Sequence, residues 1–197
     1  MRKFFILFWL LLPVGVMAYH YGPGQARMTV DDAGAELELG EQYAREQLWD
    51  EAIEKFDRVL QLLPKDKIAE MRKVRLAKAK AQMLAHQLPS AHQDLNALVD
   101  EMTDDQSAEP EVMKEARSAL ANSQYYLTWL MRLEGVGEET WGPEIEAARQ
   151  TYRLLAEDAV KSGDAAFGRK VSEDLESTIR LARMDLGELQ GLPLPSQ

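Results

Sequence analysis

The side chains best suited to metal binding or acid–base chemistry are few and scattered in this sequence. His86 and His92 lie on either side of a turn marked by Pro89, which is a poor spacing for holding a metal on one helix face. Three pairs of identical neighbouring acidic residues could in principle bind calcium, but none has the alternating oxygen ligands of a calcium loop: Asp31-Asp32, Asp104-Asp105 and Glu138-Glu139. We expect lone histidines such as these and His20 to be surface or packing residues, and the acidic pairs to be helix caps or solvated loops.

Motifs for covalent or phosphoryl chemistry do not occur in the chain. It has no Cys, no nucleophile elbow and no phosphate-binding glycine loop. The sequence therefore predicts a protein that is not an enzyme and has no cofactor, metal or catalytic residue. The alternative is an accessory or catalytic domain of an envelope hydrolase, which would need a nucleophile, a base and an orienting group in one cleft.

Five basic residues lie within nine positions, at Arg72, Lys73, Arg75, Lys78 and Lys80. At 100° per residue, Lys73 and Lys80 fall on one side of the apolar stripe of a helix, and Arg75 and Lys78 on the other. Their stems can lie along the core edge with the charged heads paired to acidic helices. The functional alternative is a site for an acidic peptide or an anionic lipid.

The segment ANSQYYLTWLMRLEG places Tyr125, Trp129 and Arg132 on the side of a helix opposite its main apolar stripe. One explanation is that Trp129 contacts a further helix, because helices in a repeat stack pack on two sides. The other is that the three residues line a groove and anchor a partner, since aromatic residues and Arg supply much of the binding energy at interfaces. We take these three as candidate partner-binding residues, with Lys73 and Lys80 as steering charges.

These residues must be positioned by helices, because the composition and periodicity indicate an all-α protein. The chain has 197 residues, 46% of them hydrophobic, and its apolar positions recur at intervals of three and four. The predicted helices run from Asp31 or Asp32 to about Glu46, Asp50 to Leu63, Asp66 to Gln87, Pro89 to about Met102, Pro110 to Glu134, Pro143 to Lys161, and from Asp164 to about Leu186. The segments TDDQSAEP and GVGEETWG are predicted loops.

The first two predicted helices carry residues whose types match a close helix–helix contact. Small residues at Gly40 and Ala52 allow the backbones to approach, Tyr43 and Phe56 fill the space between them, and Pro64 ends the second helix. With Leu39 on the same stripe as Tyr43, the segment from Ala33 to Pro64 resembles one tetratricopeptide repeat. Glu36 departs from that pattern, in which a large residue is common.

The resemblance implies a right-handed helical solenoid of about three helix pairs plus a C-terminal capping helix, spanning residues 31–190. Ala91 and Leu95 repeat part of the pattern in degenerate form, and the third pair has an enlarged turn. As a whole, the chain is similar to exported or membrane-anchored repeat proteins of bacterial envelopes, which assemble other proteins.

The first residues have the pattern of an export signal. Residues 1–18 have a basic start at Arg2 and Lys3, an apolar run from Phe4 to Met17, and a cleavage position after Ala18. An uncleaved membrane anchor is the alternative, with membrane association through this segment. Residues 19–30 are a predicted linker, and residues 191–197 a flexible tail. The expected location is the periplasm, or the inner membrane facing the periplasm.

The charge of the chain argues against a nucleic-acid partner. The formal net charge is -10, whereas binding to phosphates needs a concentrated basic surface. The sequence thus predicts a non-catalytic scaffold or adaptor that binds a protein or peptide partner. The alternative outside this class is a structural module of the membrane surface, binding through the basic helix.

Overall fold

The computed structural model describes residues 25–105 and 107–191, together with Trp9 and Pro13. All regular secondary structure in this part of the chain is helical, which confirms the predicted all-α class. The predicted cleavage site and most of the signal or anchor lie outside the described residues, as do residues 192–197 of the predicted tail. Among the described residues, no helix is both long and apolar enough to cross a membrane.

Eight helices follow one another along the described chain, one more than predicted. They are α1 (Gln25–Arg45), α2 (Trp49–Leu62), α3 (Ile68–Leu84), α4 (Leu88–Thr103), α5 (Pro110–Leu133), α6 (Glu138–Ser162), α7 (Ala165–Arg183) and α8 (Leu186–Gln190). The chain divides into two compact units between Met71 and Arg72.

Helix α1 begins inside the predicted linker, at Gln25 rather than Asp31 or Asp32. The physical reason lies in the residues after Gly24. They are Gln, Ala, Arg and Met, which favour a helix, and no Gly or Pro interrupts them before Asp31. The boundary of the linker at residue 30 is therefore corrected.

In the first unit, α1 and α2 pack where the sequence places its smallest residues. A Cβ atom built on Gly40 would lie 2.9 Å from Cε1 of Phe56, so only glycine permits this approach. Ala52 and Phe56 are buried, Tyr43 is half-buried, and Pro64 follows the end of α2. The unit thus contains the close helix pair that the sequence suggests.

Leu39 differs from its prediction, because its side chain is 40% exposed. The buried face of α1 passes through Ala33 and Gly40, which are two turns apart on one side of the helix. Leu39 lies about 100° around the helix from Gly40 and therefore points away from the line of contact. Placing it on the inward stripe with Tyr43 was wrong.

In the second unit, consecutive helices from α4 to α7 pack against one another. One core cluster is formed by α3, α4 and α5, a second by α5, α6 and α7, and a third by α5 to α8. Helix α5 contributes to all three clusters, so it is the central helix of this unit. Its length and position match the predicted helix from Pro110 to Glu134.

Two boundaries in the second unit differ from the prediction. Helix α6 begins at Glu138, within the predicted loop, and Pro143 lies inside its second turn, where the missing N–H leaves the carbonyl of Glu139 without its helical hydrogen bond. The extra helix α8 begins with a capping box between Asp185 and Glu188, and it buries Leu189 completely. By contrast, Asp164 caps α7 at the predicted position and accepts a hydrogen bond from the backbone N–H of Phe167.

Candidate functional site

Trp129, one of the predicted partner anchors, lies in the core of the second unit. Its side chain is only 5% exposed and packs in a cluster with Ile145, Leu181 and Leu189. An indole ring buried to this degree offers almost no surface to a partner. The prediction that Trp129 is an interface anchor is therefore corrected, and the alternative explanation, contact with further helices, describes its position.

Arg132, another predicted anchor, binds the end of α7. Its Nη1 donates a hydrogen bond to the backbone oxygen of Leu181, and its Nη2 donates one to that of Met184. The guanidinium also lies 4.7 Å from the centre of the Trp141 ring. Because the last carbonyl groups of a helix lack partners within the helix, Arg132 satisfies two acceptors of this kind. This structural role corrects its assignment to a partner.

Tyr125 retains part of its surface, unlike Trp129. Its ring contacts those of Tyr126 and Trp129 at centroid distances of 5.5 and 6.1 Å. Burial raises the pKa of Tyr125, since the charged phenolate would be poorly solvated there. Trp129 is buried and the guanidinium of Arg132 is bound to α7, so Tyr125, which is half-buried, is the one of the three predicted anchors whose ring can still contact a ligand.

The basic residues of α3 are all engaged by acidic residues of the second unit. The ion pairs are Arg72 with Glu101 at 3.0 Å and Asp105 at 2.8 Å, Lys73 with Glu109 at 2.9 Å, Arg75 with Glu101 at 2.5 Å, Lys78 with Asp94 at 3.9 Å, and Lys80 with Glu115 at 2.6 Å. Hydrogen bonds from Ser107 are the largest cause of the low pKa of Asp105, and the nearly buried Arg72 lowers that pKa further. The pairing matches the structural explanation of this charge cluster.

The two predicted steering charges, Lys73 and Lys80, nevertheless remain on the surface. Their side chains are 54% and 51% exposed. Ion pairs at this exposure contribute about 0–1 kcal/mol, so either lysine can exchange its carboxylate for one from a ligand at little cost. The two lysines have different surroundings. Lys73 pairs with Glu109, just before α5 begins, whereas Lys80 lines a groove.

Helices α5 and α7 lie side by side and run in the same direction. Near their beginnings, the Nζ atom of Lys114 lies 5.1 Å from the centre of the Phe167 ring. Near their ends, Arg132 binds the backbone of Leu181. Because early residues meet early residues and late ones meet late ones, the two helices are parallel neighbours, with α6 forming the return connection.

A groove in the second unit is lined by these two helices and by α3. Its apolar side chains are Met83, Leu84, Ala119 and Phe167; its charged ones are Lys80, Lys114, Lys170, Glu111 and Glu115; and its neutral polar ones are Ser118 and Asn122. We call this the α3–α5–α7 groove. An apolar surface bordered by a few polar groups on rigid helices is the usual arrangement of a binding site.

The lysines of the α3–α5–α7 groove differ in their partners. Lys80 pairs with Glu115 at 2.6 Å, and Lys114 pairs with Glu111 at 2.5 Å. Lys170 is exposed and forms no ion pair within 4 Å with any carboxylate in the described ranges. It is the lysine of this groove that can bind an added anion without breaking an existing pair.

Sequence reasoning found Lys80 but missed Lys114, Phe167 and Lys170 as groove residues. Phe167 was predicted to face inward, and it does pack partly on the second core cluster. On α5, Lys114, Ser118 and Asn122 recur at four-residue intervals, a polar stripe that could have been recognised. The contact of that stripe with α7 could not have been recognised, because the spacing of residues does not show which helices become neighbours.

A serine, a histidine and a carboxylate come together elsewhere in the second unit. His92 Nδ1 lies 3.2 Å from Ser123 Oγ, and His92 Nε2 lies 3.7 Å from Glu144 Oε2. However, Ser123 is completely buried, and its hydroxyl donates to the backbone oxygen of Leu120 at 2.7 Å. A nucleophile needs access to substrate and a proton that its base can remove, so this arrangement is a polar link among α4, α5 and α6.

Metal ligands do not converge in the described part of the chain, where no group of three His, Asp or Glu side chains could hold an ion. The absence of a metal or cofactor in the working protein stays a prediction from the sequence.

No protein-family model matches the chain, and no curated protein matches it either. The assignment of the α3–α5–α7 groove as the candidate site therefore depends on its own geometry.

Proposed function

We propose that this protein is a non-catalytic adaptor of the tetratricopeptide type, which binds a peptide segment of a partner protein in the α3–α5–α7 groove. The observation that carries the proposal is a groove lined by apolar side chains, among them Ala119 and Phe167, together with charged side chains from three helices. Support for the repeat type comes from the close contact of Gly40 with Phe56 in the first unit.

The groove suits a peptide because its contacts are of several kinds and lie on separate elements. Met83 on α3 and Phe167 on α7 can contact apolar side chains, while Asn122 on α5 can donate and accept hydrogen bonds. A partly exposed aromatic ring is a typical centre of binding energy at protein interfaces. These groups favour binding and orientation, which are the functions of an adaptor.

We further propose that the adaptor works outside the cytoplasm, on the strength of the basic and apolar pattern of residues 1–18. Mass spectrometry of the protein from its native envelope tests this directly. Tyr19 at the amino terminus is the expected result. A membrane-bound product that retains Met1 would favour the anchor, and a product with Met1 in the cytoplasmic fraction would contradict export.

A photo-crosslinking amino acid at position 118 tests binding in the groove. Ser118 lines the groove on α5, whereas Ser172 on α7 is exposed and lies outside it, so position 172 is the matched control. We expect crosslinks to a defined segment of one partner from position 118, and far fewer from position 172.

The crosslinked peptide is then made synthetically and offered as a competitor. Its addition should suppress the crosslink from position 118. Equal labelling at both positions, or a crosslink that the peptide does not suppress, would contradict binding in the groove.

A further inference from the structure

We propose that His92, Ser123 and Glu144 form a proton-dependent clamp, in which protonation of the imidazole links α4 to α6 across α5. The clamp is closed while His92 carries a positive charge and is released when the ring is neutral. Its three residues do not line the α3–α5–α7 groove. The clamp is therefore independent of the proposed peptide binding.

The hydroxyl of Ser123 decides which nitrogen of His92 carries a proton in both states of the ring. A hydroxyl group has a single proton to donate, and that of Ser123 is donated to the backbone oxygen of Leu120 at 2.7 Å. Toward His92 Nδ1, which lies 3.2 Å away, the Ser123 oxygen can only accept. This hydrogen bond requires a proton on Nδ1, so the neutral ring has no proton left for Nε2.

The other nitrogen of His92, Nε2, lies 3.7 Å from Oε2 of Glu144. An ionised carboxylate only accepts hydrogen bonds. In the neutral ring, the lone pair of Nε2 therefore meets the negative charge of Glu144, and no hydrogen bond can form. In the imidazolium, Nε2 carries a proton and the two side chains form an ion pair. A single proton thus changes this contact from unfavourable to favourable.

Water reduces the strength of this ion pair only partly, because neither side chain is fully exposed. The side chains of His92 and Glu144 are 20% and 29% exposed. Opposite charges attract more strongly at such positions than in bulk water. Glu144 has no second ion pair in the described part of the chain, so no other cation competes with His92 for its carboxylate.

The charged groups of α3 and α4 are engaged elsewhere. Asp94 lies two residues after His92, about 200° around α4, and pairs with Lys78 of α3. The other basic side chains of α3 are held by carboxylates outside the clamp. Asp100 and Glu101 lie at least eight residues beyond His92, which is about 12 Å along the helix axis. These groups leave α4 on another side or lie too far along it to pair with the imidazole.

The neighbouring groups of α5 and α6 do not replace the partner of the imidazole either. Tyr126, one turn after Ser123, is neutral because burial raises its pKa. Arg117 lies six residues before Ser123 and about 120° around α5. On α6, Glu146 lies two residues after Glu144, on another side of the helix, and is held in an ion pair at 2.6 Å.

The clamp acts on the central helix of the second unit. Helix α5 packs directly on α4 and on α6. A contact between His92 on α4 and Glu144 on α6 holds both neighbours of α5 together, so separation of the three helices must break it. The ion pair therefore opposes unfolding of the second unit only while His92 is protonated.

A double-mutant cycle of the full-length protein tests the clamp by unfolding in urea at two pH values. The variants are His92→Gln, Glu144→Gln and the double substitution, and the cycle isolates the interaction between the two side chains. Histidine changes its charge between about pH 5 and 8, so pH 5.5 and pH 8.5 compare the two states of the ring. At pH 5.5 we expect the interaction to raise the ratio of folded to unfolded protein by about twofold to fivefold. At pH 8.5 it should vanish or become unfavourable.

Ser123→Ala provides a second test, which an ordinary packing contact would not meet. Without the Ser123 oxygen, neutral His92 can carry its proton on Nε2 and donate it to Glu144. The interaction between these two side chains should then persist at pH 8.5. Nitrogen NMR of the imidazole at that pH should show the proton on Nδ1 in the wild type and on Nε2 in Ser123→Ala.

His86 supplies the control, because it is exposed in the turn before α4 and forms no ion pair among the described residues. A cycle of His86→Gln with Glu144→Gln should show no interaction at either pH. An interaction between His92 and Glu144 that is absent at pH 5.5, or equal at both pH values, would refute the clamp. If a variant does not fold, nitrogen NMR of the wild type decides, since a proton on Nε2 at pH 8.5 would contradict the role of Ser123.

Discussion

Trp129 and Arg132 stabilise the end of the second unit from within. The indole ring fills the space between α5 and the helices that follow it, and the guanidinium closes the carbonyl end of α7. Both side chains leave the helix on the side opposite its main stripe, as the sequence indicates. They differ from binding residues because α7 and α8 cover that second side.

Replacement of Trp129 by Ala should therefore lower stability strongly. Removing a large buried aromatic side chain typically costs about 3–5 kcal/mol in the free energy of unfolding. Urea denaturation measures the change, with Tyr125→Ala as the comparison, because that ring is only half-buried and should cost less. Equal effects of the two substitutions would contradict the burial described for Trp129.

Asp174→Asn should raise the stability of the protein at pH 7. Burial places the pKa of folded Asp174 above its ordinary value of 3.8, so folding favours the protonated form. The corresponding stability is present below pH 3.8 and is lost as the pH rises through the pKa of the folded state. Asn resembles the neutral form and retains that stability.

Urea midpoints at pH 7 and pH 3 test this sign. The Asn variant should exceed the wild type at pH 7 and match it at pH 3. Glu176→Gln is the control, since Glu176 is exposed on the same helix and is not among the charges that act on Asp174. A loss of stability in Asp174→Asn at pH 7 would mean that the carboxylate is stabilised in the fold.

The two glycines of α1 have different surroundings, and only Gly40 lies where α1 and α2 pack together. Gly40 is in contact with α2, whereas a Cβ at Gly34 would have no neighbour within 4 Å. The tetratricopeptide pattern predicted the need for a small residue at Gly40 from its spacing to Phe56. It did not predict Leu39 correctly, because a pattern fixes spacing along the chain more firmly than rotation about the helix axis.

The substitutions Gly34→Ala and Gly40→Ala should consequently have different effects. In an exposed helix interior, alanine is favoured over glycine by up to about 1 kcal/mol, so Gly34→Ala should raise the melting temperature. At Gly40 the same methyl group would press on Phe56, and the benefit should be lost or reversed. Thermal unfolding followed by circular dichroism compares them. A similar increase in both variants would contradict the close approach of α1 and α2.

Element boundaries were predictable where a cap or breaker acts alone. Asp164 and Pro110 mark the starts of α7 and α5 at the expected positions. The start of α8 was also readable from the Asp185 and Glu188 spacing of a capping box, but it was missed. The start of α6 was misjudged because Pro143 was treated as the first helical residue, whereas the helix begins at Glu138 and continues despite the one hydrogen bond lost at Pro143.

At the scale of the whole molecule, the candidate site depends on neighbours that are distant in sequence. Lys114 and Phe167 meet only because α6 returns the chain so that α7 lies parallel to α5. Helical periodicity shows which residues share a face, but it does not show which faces meet. The helical class was therefore predictable from the sequence, whereas the groove residues other than Lys80 were not.

Binding of the partner segment in the α3–α5–α7 groove is the central claim, and an affinity titration of the synthetic segment tests it most directly. The segment, defined by the crosslink from position 118, is titrated against the wild type, Ser118→Trp and Ser172→Trp. These variants carry the same change on α5 inside the groove and on α7 outside it. We expect Ser118→Trp to weaken binding at least tenfold, about 1.4 kcal/mol, at an unchanged melting temperature, and Ser172→Trp to bind like the wild type. Unchanged affinity in a folded Ser118→Trp variant would contradict the claim.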